Sequence, residues 1–336
     1  MGTFCIGALS RLDMTSDATQ ILILCPTREL AKQNYDVLTS IGCYLTGGRD
    51  TGGRDSTGLH AYLCTGGTMV SRDIEAFRRE RYQVVVGTPG RIYHLITKHC
   101  LDVSQIKLFV LDEADQMLSR DFERQVYDIY RSLASGVQFC IVSATFPQSI
   151  EDLSNQILND PVRIRVPTEK LSLEGIIQYY VMVGNQDNKY STLIDIFSII
   201  THSQSIIYVN SVGSCKTLVE HMKHDGYSVV GIHSAMEQPE RTDVLKTFRT
   251  GATRILVATD LVARGIDIQQ ISLVINYDLT RNRETYLHRI GRSGRFGRKG
   301  ATIIFATSDD MRIIDDLERH YRITIGELPE DFNKRI

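Results

Sequence analysis

Short apolar runs separated by amphipathic stretches constrain this chain more than any other feature. "ILILC", "AYLC", "QVVVG", "LFVLD" and "QFCIVSA" occupy the first half, and "SIIYVN", "RILVAT", "LVINY" and "ATIIFA" the second. A run that is apolar at successive positions is buried on both faces. Strands of that kind, spaced by helices, form parallel sheets of the doubly wound α/β type. The rhythm restarts after "DPVRIRVPTEKLSLEG", a stretch with two prolines, mixed charge and no helical period. The pattern therefore predicts two α/β domains in tandem, residues 1–166 and 173–336, joined by a linker at 167–172.

The length of 336 residues accommodates two such domains, each with its own core. No run approaches the ~18 apolar residues of a membrane span, so no membrane association is expected. The opening "MGTFCIGALSRLD" has no basic leader and too short an apolar core for a secretion signal, and Ile6 stands where a myristoylation motif requires Ser or Thr. Seven scattered cysteines, none in a Cys-x-x-Cys pair, read as buried free thiols in a reducing compartment, cytoplasmic or nuclear. His221 and His224 lie one helical turn apart without a third metal ligand nearby, as on an ordinary surface helix. With 38 basic and 40 acidic residues, contact with nucleic acid has to come from local clusters. The segment "LTGGRDTGGRDSTG", Leu45 to Gly58, repeats "TGGRD" and is polar and Gly-rich, which predicts a surface insertion.

"IKLFVLDEADQML" places Asp112, Glu113 and Asp115 directly after a buried run. Three carboxylates there repel one another unless a cation or a developing positive centre is held nearby. The carboxyl end of a strand is where α/β proteins bind ligands. Asp112 suits Mg²⁺ held through water, and Glu113 suits orienting or deprotonating a water that attacks a γ-phosphate. A solvated helix N-terminus also favours acids, so the four letters alone leave both readings open.

Their company narrows the choice. "PTREL" (26 to 30), "GG" (66 to 67), "TPGR" (88 to 91), "DEAD" (112 to 115), "SAT" (143 to 145), "QPER" (238 to 241), "ATDLVARGID" (258 to 267) and "HRIGRSGR" (288 to 295) follow in order. In them the chain resembles the DEAD-box RNA helicases, in the subgroup of eukaryotic initiation factor 4A and its exon-junction and nucleolar relatives. The resemblance implies two RecA-like domains, ATP and Mg²⁺ as cofactors, and a monomer that closes on RNA and locally unwinds short duplexes in translation initiation or RNA processing. It makes Arg292 and Arg295 arginine fingers, has His288 link their site to the first domain, and assigns Gly265 and Asp267 to the nucleotide. An arginine finger is worth ~10³ to 10⁵ in rate, so acids in one domain and fingers in the other make hydrolysis depend on closure. Asp115, Ser143 and Thr145 would join the catalytic set, the last two coupling hydrolysis to RNA release. Ser143 and Thr145 equally suit capping of a helix opening at "FPQSIEDL".

For RNA the resemblance implies Pro26, Thr27, Arg28, Glu29, Gly67, Thr88, Pro89, Gly90, Arg91, Gln238, Arg241, Thr259, Asp260 and Arg264. Small polar residues, glycines and isolated arginines suit a sugar-phosphate backbone and sequence-tolerant binding that senses 2′-hydroxyls. Initiation-factor scaffolds or exon-junction-type proteins are the protein partners implied.

A P-loop, G-x-x-x-x-G-K-[ST], does not occur in the sequence. "NSVGSCKTLVE" contains Lys216-Thr217, but Asn210 and Cys215 stand where glycine is required. "GTFCIGALSRLD" resembles the helix that follows the family's Gly-Lys-Thr, so the chain is expected to start just beyond the P-loop and the Q motif, with a central strand absent. "LFVLD" is then expected to be partly unpaired, and ATP to be bound feebly and hydrolysed poorly. The alternative is a non-catalytic RNA-binding or scaffold protein derived from a helicase.

Overall fold

The computed structural model describes residues 1–45, 58–118, 122–165, 175–200, 204–260, 271–293 and 300–332. The chain divides into two compact units, Met1–Val162 and Arg163–Ile336. The linker expected at 167–172 and the repeated TGGRD segment lie outside the described residues.

In the first unit the elements are α1 (Gly2–Leu9), β1 (Ile21–Leu24), α2 (Arg28–Gly42), β2 (Ala61–Cys64), α3 (Val70–Arg79), β3 (Val84–Gly87), α4 (Pro89–Thr97), β4 (Leu108–Asp112), α5 (Ala114–Met117), α6 (Glu123–Ser132), β5 (Gln138–Val142) and α7 (Gln148–Ile157). The strands form a parallel sheet in the order β2-β3-β1-β4-β5. Side chains alternate across a strand, and this sends neighbouring residues of each apolar run into different cores. Leu22, Leu24, Val85, Phe109 and Leu111 pack with Ile92, Leu95, Val126 and Ile129 on one face. Ile21, Ile23, Val84, Val86, Leu108 and Val110 pack with Phe4, Ala8, Leu30 and Leu38 on the other.

The expectation that "LFVLD" would be partly unpaired is wrong. β4 is buried at every position and runs between β1, with Leu108 opposite Ile21, and β5, with Leu108 opposite Gln138 and Asp112 opposite Val142. Order along the chain does not give order across a parallel sheet: the first strand of the unit takes the centre. The outer side of the sheet falls to β5, which has no second neighbour among the described residues and is only partly buried.

The second unit comprises β6 (Ile176–Gly184), α8 (Lys189–Ile199), β7 (Ser205–Tyr208), α9 (Val212–His224), β8 (Val229–Ile232), α10 (Gln238–Arg249), β9 (Ile255–Ala258), β10 (Leu273–Asn276), α11 (Arg283–Ile290), β11 (Gly300–Thr307), α12 (Met311–Tyr321) and β12 (Gly326–Glu327). Its sheet is also parallel, in the order β12-β6-β11-β10-β7-β9-β8. Ser211 caps α9 by accepting from the Ser214 amide at 2.9 Å, so "NSVGSCKT" forms an ordinary helix start. No helix among the described residues is long and apolar enough to cross a membrane.

Candidate functional site

Because the first sheet is parallel, all its strands deliver their following loops to one rim. Across that rim the order is "GG" after β2, "TPGR" after β3, "PTREL" after β1, "DEAD" at the end of β4 and "SAT" after β5. Five motifs scattered over more than a hundred residues of sequence become neighbours.

On one half of the rim Pro26 is buried and Thr27 caps α2, its hydroxyl accepting from the Leu30 amide at 3.2 Å. Arg28 and Glu29, half-buried, form the first turn. The Arg28 guanidinium lies against Gly67, where φ is +80° and a Cβ would come within 1.9 Å of Nη1. Only a glycine leaves room for it. Thr88 donates its amide to the Cys64 carbonyl at 3.1 Å, Pro89 is buried at the start of α4, and Gly90 is exposed. Arg91 is turned inward: it pairs with Asp73 and bonds the Thr68 hydroxyl at 3.0 Å and carbonyl at 2.6 Å, while Tyr62 donates to the other Asp73 oxygen at 2.7 Å. Its guanidinium holds the glycine loop from beneath.

On the other half, the three acids are kept apart by three different devices. Asp112, 8 % exposed, accepts from the Glu113 amide on one oxygen at 3.1 Å and from Asn34 Nδ2 on the other at 2.7 Å. Burial pushes its carboxyl above the ordinary range, against the pull of the Asn34 hydrogen bond. Glu113 stands in the left-handed region, φ 51° and ψ 55°, at the N-cap of α5. That conformation is uncommon for a residue with a side chain and turns Glu113 away from the line of β4. Asp115 accepts from Ser143 at 3.0 Å and from Thr145 at 2.9 Å, and its own amide donates to Ser143 at 3.2 Å. The hydroxyls of "SAT" therefore serve Asp115, and α7 begins at Gln148 behind Pro147 with no side-chain cap. The capping role weighed for Ser143 and Thr145 is not what they perform.

In the second unit, Asp260 follows β9 and is gripped by Arg289 of α11, Nε to one oxygen at 2.5 Å and Nη2 to the other at 2.8 Å. The same guanidinium, 1 % exposed, also reaches the Asp278 carbonyl at 2.6 Å and Asn210 Oδ1 at 2.8 Å, and covers the Tyr208 ring at 5.1 Å. Thr259 is buried, its amide bonded to the Ile232 carbonyl at 3.2 Å. Gln238 opens α10, and Arg241 ties the loop after β8 through the Ser234 carbonyl at 2.6 Å and the Met236 carbonyl at 3.1 Å. His288 and Arg292 are buried, with Arg292 Nε donating to the His288 carbonyl at 3.1 Å. Arg264, Gly265, Asp267 and Arg295 lie outside the described residues.

Comparison with known proteins accords with this layout. Residues 2–153 match the DEAD/DEAH box helicase family and residues 188–297 the helicase conserved C-terminal domain. The ATP-dependent RNA helicase eIF4A of Scheffersomyces stipitis is 45% identical over 329 residues, 98% of this chain and 80% of the relative. The chain belongs to the DEAD-box helicases. The eIF4A of Emericella nidulans is likewise 45% identical, over 97% of this chain and 79% of its own. The structure of S. cerevisiae Dbp5 bound to RNA and ADP BeF3 superposes with a TM-score of 0.88 at 29% identity, covering 99% of this chain and 84% of that one. The two parallel sheets are thus the tandem RecA-like pair of this DEAD-box helicase.

Sequence reasoning missed Asn34 and Arg289. Asn34 lies in the apolar stripe of α2 with Leu30, Ala31 and Leu38, and a polar residue in such a stripe is the available signal. Arg289 stands within "HRIGRSGR" without a role of its own. Its place in a helix with buried Tyr286, Leu287 and Ile290 marks it as an interior residue.

Proposed function

We propose that this DEAD-box helicase is an ATP-dependent RNA helicase that clamps RNA by its sugar-phosphate backbone and locally opens short duplexes. The observation that carries this reading is the shared rim of the first unit, where Thr27, Arg28, Gly67 and Thr88 stand beside Asp112 and Glu113 on adjacent strand ends. Backbone groups, a glycine and a guanidinium favour a ribose-phosphate chain over base edges.

Asp112 fits Mg²⁺: a carboxylate, the hard oxygen donor this ion takes, at the mouth of a strand, with most of the coordination shell left to water and phosphate. When bound, the ion neutralises charge on the phosphates. Glu113 orients the attacking water, and its αL backbone sets its side chain off the axis of β4. Asp115, held by Ser143 and Thr145, fixes the turn that carries Glu113 and links it to the end of β5. In the second unit Arg292 and Arg295 supply positive charge to the phosphates, His288 belongs to the same site, and Gly265 and Asp267 hold the nucleotide. Gln238, Arg241, Thr259, Asp260 and Arg264 extend the RNA path. Domain bounds of 1–166 and 173–336 belong to the same reading, as do an initiation-factor scaffold or exon-junction-type protein as partner.

The test combines fluorescence anisotropy with hydrolysis assays on residues 1–336. Expected is binding to single-stranded RNA over DNA of the same sequence, with weak ATP hydrolysis that RNA stimulates and Glu113→Gln removes. Equal affinity for DNA, or hydrolysis indifferent to both RNA and Glu113→Gln, overturns the reading. RNA binding with no hydrolysis at all selects the non-catalytic scaffold instead.

A further inference from the structure

Asn34 sits in the middle of α2, fully buried, with its amide nitrogen shared between two acceptors. One N–H goes to Asp112 Oδ2 at 2.7 Å and the other to Cys25 Sγ at 3.0 Å. The orientation of the amide is forced: an ionised carboxylate only accepts, so the nitrogen has to face it. Asn34 Oδ1 is buried with no hydrogen-bond partner among the described residues. An apolar side chain of similar volume would fill the same space without stranding a carbonyl, so packing does not account for an amide here. What an apolar residue could not supply is the short bond to a charged acceptor, among the stronger hydrogen bonds available in an interior.

Two further facts give this bond a direction. Oδ1 of Asp112 is already engaged by the Glu113 amide, so Asn34 removes the remaining rotational freedom of the carboxylate. And Asn34 lies six residues after Arg28 on one uninterrupted helix, about 9 Å along its axis. Cys25, the other acceptor, begins the loop that carries Pro26 and Thr27.

We propose that Asn34 is a positioning residue: it fastens the Asp112 carboxylate to the helix whose first turn carries Thr27, Arg28 and Glu29, so that RNA held by that turn is felt at the carboxylate. The coupling half rests on the RNA reading given above. The positioning half needs only that Asp112 faces a divalent cation. Residues that hold a metal's carboxylate by hydrogen bond typically set its affinity by ten- to a hundred-fold, which fixes the size of the expected effect.

The experiment uses the full chain labelled with ¹⁵N and Mn²⁺ in place of Mg²⁺, the dissociation constant being read from paramagnetic broadening of amides around Asp112. Asn34→Leu is expected to weaken Mn²⁺ binding by ten-fold or more. Cys25→Ala, which removes only the second acceptor, is expected to leave it within two-fold. The Asn34 side-chain amide pair, assigned by its absence in Asn34→Leu or by through-bond correlation to the Asn34 β-carbon in protein also labelled with ¹³C, is expected to be protected from solvent exchange and to shift when oligouridylate is added. A folded Asn34→Leu with unaltered Mn²⁺ affinity overturns the positioning role. So does a side-chain amide in the wild type that exchanges as fast as an exposed one, a measurement that decides even where Asn34→Leu fails to fold. If oligouridylate binds and the amide pair stays still, the coupling is wrong. If oligouridylate does not bind at all, the RNA reading has failed while the Mn²⁺ arm still judges Asn34.

Discussion

The guanidinium of Arg28 rests on the bare α-carbon of Gly67, in the space a methyl group would need. These residues are 39 positions apart and meet because β1 and β2 both flank β3, so their loops open on the same rim. Gly67→Ala should therefore act through Arg28 as much as through its own backbone at φ +80°. The left-handed conformation costs a residue with a Cβ about 1 kcal/mol, a few degrees in melting temperature. Displacement of Arg28 should lower affinity for single-stranded RNA by roughly ten-fold, the worth of one charge-assisted contact. Anisotropy titration beside a thermal melt separates the two. An unchanged affinity would show that Arg28 does not hold RNA.

Arg289 should be far less replaceable than the arginines that follow it. Its guanidinium serves Asp260, Asn210 and the Asp278 carbonyl at once, from a site with almost no access to water. Arg289→Met should destabilise the second unit by about 3 kcal/mol, the lower end for breaking a buried pair because Asp260 is one-third exposed. Arg289→Lys should recover little of that, since an ammonium cannot span both Asp260 oxygens. Hydrogen exchange along β7 and β9 is the measurement, and near-native protection in the lysine variant would contradict the prediction.

Ser143 and Thr145 should behave as one unit with Asp115. Thr145→Val removes one hydrogen bond and should cost about 1 kcal/mol; Ser143→Ala removes a donor and an acceptor together and should cost about twice that. Combined with Asp115→Ala, Thr145→Val should add almost nothing, because its partner has already gone. A double-mutant cycle by urea denaturation tests this, and additive losses would mean the hydroxyls are held for another reason.

The thiols should divide by environment. Burial pushes Cys5 and Cys215 up to about 11 and also raises Cys25 and Cys64, whereas Cys43 is exposed. Only the thiolate reacts with a disulfide reagent, so a raised pKa slows labelling at every pH below it. At pH 8 about one Cys5 in a thousand is ionised, and its labelling should quicken about ten-fold for each pH unit up to 11. Cys43 should dominate the fast phase at pH 8 and that phase should vanish in Cys43→Ser. A fast phase that survives would place a second reactive thiol at the surface.

Much of this molecule was legible before any coordinates. The apolar runs are the strands, and the five motifs of the first unit stand at their carboxyl ends, because runs buried on both faces admit few other architectures. What sequence could not convey was lateral order. "LFVLD" was expected to lack a neighbour, yet "ILIL" and "QFCIV" flank it along its length, since strand pairing depends on which crossover goes which way. Site chemistry was legible where a side chain is unusual for its place, as with the acids after β4. It was not legible where an ordinary residue acquires its role from a distant partner: Asn34 meets Asp112 across 78 positions, and nothing local to either announces the other. Arg91, grouped with residues that face RNA, turns its charge inward instead, as does Arg289, to which no role was assigned.

The incomplete cover over β5 has a consequence for handling the protein. Phe139, Ile141 and Val142 stand half open along a strand whose far side has no neighbouring strand among the described residues. A margin like that recruits other chains in extended conformation, the seed of insoluble fibrous deposits. Solubility should thus be limited by concentration before it is limited by heat, and a lysine at Ile141 should raise the ceiling.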